Sequence, residues 1–275
     1  MNLVQTLTQT LSEFSPGTLN WINSVITNST RVVGFYIAGI LIALEVVRLF
    51  DKANTSNGGL VTLKMFQGLS FRAAASGIAV GLSSYALQFM LFMGIGCVNL
   101  ISNVANGAFD VFNIPKVEMS TDMISVLGGF FQALFNPGDA IKKGIMVLIL
   151  MIIGALVTLI AYVMTWVIVM LRFFELYIML ACMPIPMASF ASEEFNYIGK
   201  NYMKRVLAYA FQPVLILLVF GVYHFLSQIS IDMSSFGKPG DFGMDASFCK
   251  NLILSVVFII ALWQTYKKSS ELFGV

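Results

Sequence analysis

The chain has 275 residues, of which 58% are hydrophobic and only 11% charged, against about 25% charged in a typical soluble domain. With a mean hydropathy of +0.84, that much apolar surface on so few charges excludes a water-soluble globular protein. Sixteen basic and fourteen acidic residues nearly cancel, to a formal net charge of +2, so a strongly basic nucleic-acid-binding surface is not expected.

The opening MNLVQTLTQTLSEFSPG has no basic start and no continuous apolar core. It predicts no cleavable signal peptide, and insertion through internal spans. Leu3, Leu7, Leu11 and Phe14 form one helical stripe, and Ser15-Pro16 reads as an N-cap followed by proline at the first helical position. Leu19, Ile22, Val25 and Ile26 form a second stripe. Residues 1–30 are therefore expected to be extracytoplasmic amphipathic helices, too polar to span, lying on the membrane surface or packing on partners.

Residues 31–275 read as a membrane domain with spans near 32–50, 73–101, 144–171, 206–229 and 252–266. The turn N-T-S-N-G-G and a short amphipathic piece follow the first span. Residues 102–143 form an extracytoplasmic loop, with turns at N-I-P and N-P-G-D and a short apolar helix between them, from about Ser120 to Phe135. Gly144 to Leu171 runs twenty-eight residues without a charge, about 42 Å of helix, so it must tilt or protrude. Residues 173–190 are a broken or re-entrant segment interrupted by Pro184-Ile185-Pro186. The fold expected is thus all-α and polytopic, with about five transmembrane helices. Trp263 and Tyr266 suit an interfacial belt at the end of the last span.

With five spans and the N-terminus outside, nine basic residues fall on the cytoplasmic side, in the loops at 51–72 and 172–205 and at the C-terminus, against six outside. Six spans with the N-terminus inside give the same numbers but put the denser basic loops outside, so five spans are preferred. The protein is expected in the cytoplasmic membrane, with its C-terminus in the cytoplasm.

No catalytic constellation, cofactor fingerprint or metal-ligand spacing stands out. Cys97, Cys182 and Cys249 carry no C-x-x-C and read as small buried hydrophobes, and the single His224 as a partly wet packing residue near a span's end. Glu45 with Arg48, and Arg172 with Glu175, are spaced to pair and to snorkel at the ends of spans, or to line a conduit. No carboxylate sits at mid-bilayer, against an ion-coupled carrier. Pro184 and Pro186 force a backbone break, either a simple helix end or a break that protein or a water-filled cavity must cover. Lys200, Lys204 and Arg205 lie on one helical side ahead of a span, anchoring topology or docking an acidic cytoplasmic partner, with Glu193 and Glu194 just before them. Ala73, Gly77 and Gly81 permit close helix approach, within the chain or between copies.

The stretch R-F-F-E-L-Y-I-M-L-A-C-M-P-I-P-M-A-S-F, from Arg172 to Phe190, resembles the central signature of the TrbL family. It is followed by Glu193-Glu194-Phe195, by Gly199-Lys200-Asn201-Tyr202 and by a span opening with basic residues. That family comprises polytopic inner-membrane subunits of VirB-type conjugation and type IV secretion systems. The resemblance covers roughly residues 140–230; elsewhere it lies in hydropathy and in the central loop. Some members carry a large extra domain or a tryptophan in that loop; this chain has neither, its tryptophans being Trp21, Trp166 and Trp263. The low charge and the abundance of Ile, Phe and Met suggest a Gram-positive plasmid or integrative element.

The resemblance implies an N-terminus outside, about five spans, and a homo-oligomer at the base of a translocation channel. Its partners would be other channel subunits, secretion ATPases, membrane lipid and a transient DNA or protein substrate. The expected function is a non-enzymatic channel subunit for conjugative transfer. The alternative is a small-molecule transporter or permease subunit, and an intramembrane enzyme lacks any supporting motif. A relaxase and secretion ATPases encoded beside the gene would favour the first, and a substrate-binding protein or ABC ATPase the second.

Overall fold

The computed structural model describes residues 6–56, 63–104, 139–229 and 246–275. The expected helix at 120–135 lies outside them. Every regular element among the described residues is helical. Among the described residues, five stretches are long and apolar enough to cross a membrane: Pro16–Thr55, Ser83–Asn103, Ile152–Cys182, Asn196–Gln228 and Cys249–Leu272. Length and hydropathy together make this a multi-pass membrane protein.

The N-terminal stripe is not one helix. Thr10 starts a new one, α1 (Leu11–Phe14), through a capping box: the Glu13 N–H donates to Thr10 Oγ1 at 3.3 Å, and the Thr10 N–H donates to Glu13 Oε2 at 2.9 Å. Pro16 opens α2 (Pro16–Val25) in the expected place. A π-turn, Ile26–Thr30, then carries α2 directly into α3 (Arg31–Ser56). Within it Thr27 donates back to the Asn23 carbonyl at 2.9 Å, a local bond that competes with the helical ladder.

The second expected span is two helices, α4 (Leu63–Gly81) and α5 (Ser83–Val104), interrupted at Leu82. There the Ser83 hydroxyl donates to the Val80 carbonyl at 2.9 Å, just after Gly81, the kind of Gly/Ser step at which helices kink. Helix α6 (Asp139–Cys182) is 44 residues long. It carries the helix through Arg172-Phe173-Phe174-Glu175, so the break falls later than expected. Nothing before Pro184 removes a backbone donor, and the helix stops only there. A single turn, α7 (Pro184–Met187), and a 3₁₀ turn, Ala188–Ala191, follow. Ser192 is extended (φ −117°, ψ 144°), and α8 (Asn196–Gln228) begins ahead of the expected span and continues through Pro213. Helix α9 (Ala246–Leu272) ends with Gly274 at φ +63°, the left-handed conformation that glycine adopts at helix C-termini.

The chain divides into two units. The first comprises residues 1–101, 171–214 and 266–275. In it α3 and α4 pack antiparallel, with α7 and the 3₁₀ turn lodged against both. Two glycines permit the closest approaches. A Cβ on Gly34 would lie 2.7 Å from the Pro184 carbonyl oxygen, and one on Gly94 would collide with the Ala210 carbonyl. Ser269 donates to the Ala208 carbonyl at 2.6 Å, fixing the end of α9 on α8. The second unit comprises residues 102–170 and 215–265. Its described core centres on Phe258, in aromatic contact with Phe220 (5.1 Å) and Tyr223 (5.0 Å). Lys250 donates to the Ser227 carbonyl at 2.6 Å.

Candidate functional site

The chemistry of the first unit gathers where α3, α4 and the end of the broken segment meet. Glu45 on α3 is only 7% exposed. Its carboxylate pairs with Arg72 on α4 at 2.7 Å and with Arg48, one turn on, at 3.5 Å. It also accepts from the Ser192 hydroxyl at 3.3 Å and from the Glu193 N–H at 3.4 Å. Each arginine then reaches outward to a second carboxylate. Arg72 binds Glu193 at 2.9 Å, and Arg48 binds Glu194. Three carboxylates and two guanidinium groups thus form one chain of pairs with Glu45 at its centre. The cluster borders a cleft of about 720 Å³ that is also lined by Leu49, Asp51, Lys52, Gly68 and Leu69.

The sequence places Glu45 and Arg48 on one face by their spacing, and the structure bears that pairing out. Arg72 and Ser192 are members that local spacing did not reveal, since their partners lie 27 and 147 residues away. Glu193 and Glu194, read as docking residues, stand about two-thirds exposed while engaged by Arg72 and Arg48. The buried Glu45 matters most energetically. A charge out of water without partners is strongly unfavourable, whereas the outer pairs sit in water and contribute little.

The cluster clamps the chain just after the proline break. Pro184 and Pro186 deprive the Leu180 and Cys182 carbonyls of helical donors; the Met183 N–H turns to Leu180 O at 3.4 Å instead. Ser189 bridges the break to α8: its hydroxyl donates to the Pro186 carbonyl at 2.7 Å and accepts from the Gly199 N–H at 2.8 Å. Gly199 fits because a Cβ there would meet Ser189, Phe190 and the Pro186 carbonyl at about 3 Å. Tyr202 donates to Met179 O at 2.8 Å, tying α8 back to α6.

Arg172 and Glu175 do not pair with each other, a correction to the spacing argument. Arg172 is fully buried, donates to the Leu7 carbonyl at 3.4 Å and lies 5.0 Å from the Phe173 ring centroid. Glu175 is half-buried and bonds the Tyr209 hydroxyl, and Tyr209 stacks on Tyr266 at 4.5 Å. The N-terminal segment covers Arg172, so the two side chains go to different neighbours. Lys200, Lys204 and Arg205 are exposed and make no ion pair among the described residues. Gly77 and Gly81 face nothing within 4 Å, and the Ala73 carbonyl takes a local bond from the Ser76 hydroxyl at 2.9 Å. The close contacts within the chain are made at Gly34, Gly94 and Gly199 instead. His224 contacts Gln228 at 2.9 Å and is half-buried.

Fold and site together define an all-helical, multi-pass membrane protein with a proline-broken segment clamped by ion pairs between two of its helices. No known protein family matches the chain, and neither does any curated protein or solved structure.

Proposed function

We propose that the chain is a non-enzymatic channel subunit of a conjugative type IV secretion system, helping to carry DNA or protein substrate across the cytoplasmic membrane. The observation that carries this reading is the clamped break. Within the segment resembling the TrbL signature, Pro184 and Pro186 interrupt the helix, and Glu45, Arg48 and Arg72 seize the chain at Ser192–Glu194. An irregular backbone in a membrane protein is tolerated where protein covers it or where it borders a water-filled path. Here it has both a cover, α3 and α4, and beside it a cleft bordered by charged side chains.

In this reading the N-terminus is outside and the C-terminus cytoplasmic, so the break faces the cytoplasmic mouth. Lys200, Lys204 and Arg205, which make no ion pair among the described residues, then offer an acidic surface of a secretion ATPase a place to dock. The open flank at Gly77 and Gly81 leaves room for a neighbouring copy in a homo-oligomer. The runner-up, a small-molecule permease subunit, is favoured by one observation: at about 720 Å³ the cleft has the size of a small-ligand site.

The test is donor-to-recipient transfer from a deletion strain complemented with Pro184→Ala/Pro186→Ala, with membrane levels checked by immunoblot. Transfer should fall by orders of magnitude while the protein remains inserted, because continuation of the helix displaces the clamp and the basic cluster. Unchanged transfer would reduce the prolines to a helix end. If deleting the gene leaves transfer intact, the conjugation reading fails and the permease reading takes its place.

A further inference from the structure

The cleft beside the clamp already holds an acidic segment, and that segment is the chain's own. Glu193 and Glu194 are consecutive residues of the short link between the 3₁₀ turn and α8. The link starts extended at Ser192. It sends one carboxylate to Arg72 on α4 and the next to Arg48 on α3. Both carboxylates are about two-thirds exposed, so each can turn into water by side-chain rotation alone. The link itself stays anchored, because Ser189 ties the Pro186 carbonyl to the Gly199 N–H across it. Exposed pairs of this kind contribute little to folding, and they exchange at small cost.

The rest of the cleft survives that exchange. Without the two glutamates, its charged lining among the described residues is Arg48, Lys52 and Arg72 against Glu45 and Asp51. Three cations then face two carboxylates. Glu45 still aims both arginines, Arg72 from 2.7 Å and Arg48 from 3.5 Å. Both are more than a third exposed, so an incoming anion reaches them from water. About 720 Å³ lies beside Glu193 and Glu194 as they stand, the size of a site that takes a whole small ligand. The lining also includes Gly68, where a Cβ would meet nothing within 4 Å. A second segment therefore has room to lie alongside before the glutamates give way.

We propose that this cleft is a docking site for an extended acidic segment of a protein partner, with Glu193 and Glu194 as the tethered competitor that occupies its arginines. The present occupant, two successive carboxylates on an extended link, selects the partner's chemistry. The partner's carboxylates replace them on Arg48 and Arg72, one charge-assisted bond for another. Tethering gives the chain's own glutamates a high effective concentration, so wild type binds such a segment weakly and binding tightens when their charge is removed. The site stands whether or not the chain serves conjugation.

The probe is a fluorescein-labelled peptide copying residues 191–197, A-S-E-E-F-N-Y. Its anisotropy is followed against the full chain in mild detergent at low salt, with A-S-Q-Q-F-N-Y as control and inorganic pyrophosphate as a competitor. Glu193→Gln/Glu194→Gln should bind the peptide about tenfold more tightly than wild type, a gain that a purely structural pair of salt bridges does not produce. Adding Arg48→Gln to that variant should cost about tenfold. Adding Gly68→Leu instead puts bulk into the lining, leaves every charge in place and exchanges glycine for a better helix former. It should also cost about tenfold, so the test survives if Arg48→Gln does not fold. Binding by Glu193→Gln/Glu194→Gln no tighter than by wild type, equal binding of the two peptides, or binding that ignores Gly68→Leu overturns the proposal. So does pyrophosphate displacing the labelled peptide at lower concentration than the unlabelled peptide does.

Discussion

Replacing Glu45 with Gln keeps the side chain's length and removes its charge. In the folded chain this carboxylate faces Arg72 at 2.7 Å and Arg48 at 3.5 Å, and accepts two further bonds from Ser192 and Glu193. Removing one partner of a fully buried pair costs roughly 3–5 kcal/mol. The arginines here are 35% and 40% exposed, so water and the outer glutamates take over part of their solvation, and about 2 kcal/mol is expected. Glu193→Gln and Glu194→Gln break pairs whose carboxylates are 66% and 64% exposed, and each should cost only about 0.2–1 kcal/mol. Unfolding in mixed micelles, titrated with denaturing detergent, measures all three variants. A double-mutant cycle of Glu45→Gln with Arg72→Met should give a coupling of about 1–2 kcal/mol. High salt should erode the outer pairs and leave that coupling nearly intact. If Glu45→Gln costs no more than Glu193→Gln, the central carboxylate is not the keystone of the clamp, and the account of how the break is held is wrong.

Other variants separate packing inside the chain from contacts outside it. Gly34→Ala and Gly94→Ala place a methyl against a backbone carbonyl and should each destabilise by about 1–3 kcal/mol in the same micelle assay, whereas Gly77→Ala and Gly81→Ala should be nearly silent. Crosslinking of detergent-solubilised Gly77→Leu and Gly81→Leu tests the open flank: an oligomer identical to wild type would remove it from the interface between copies. Ser189→Ala removes two bonds that span the break and should cost about 1–3 kcal/mol, read by the same titration; a change within error would show that packing alone holds the turn. For topology, a cysteine at Asn57 should be shielded from an impermeant maleimide in intact cells and one at Ser235 labelled, in a background free of the native cysteines; labelling at Asn57 would reverse the orientation.

Much of the fold is written in local sequence. Apolar runs of spanning length, and the near absence of charge within them, require bilayer-crossing helices because buried backbone has no other way to satisfy itself in lipid. Pro16 marks a helix start and Pro184 a helix end because a missing N–H is a local fact. The pairing of Glu45 with Arg48 needs only the helical repeat. Periodicity loses its hold where short polar side chains intervene. Thr10 recaps the N-terminal stripe, and the Ser83 hydroxyl takes the Val80 carbonyl where the second span is interrupted at Leu82. Neither changes the apolar pattern, so neither showed in it.

The site itself was decided by the tertiary structure. Arg72 joins Glu45 across 27 residues and Glu193 across 121, and no spacing rule spans such distances. Arg172 and Glu175 illustrate the converse: one turn apart, and so expected to pair, they are drawn to the Leu7 carbonyl and the Tyr209 hydroxyl because those groups pack against them and each other's carboxylate and guanidinium do not. The glycine stripes divide in the same way. Gly77 and Gly81 carry the helical spacing of a packing face but meet nothing, while Gly34 and Gly94, unremarkable in sequence, stand where one backbone presses on another. Sequence determines which faces of a helix are small, charged or apolar. Which face meets which is settled only when all the helices compete for the same neighbours.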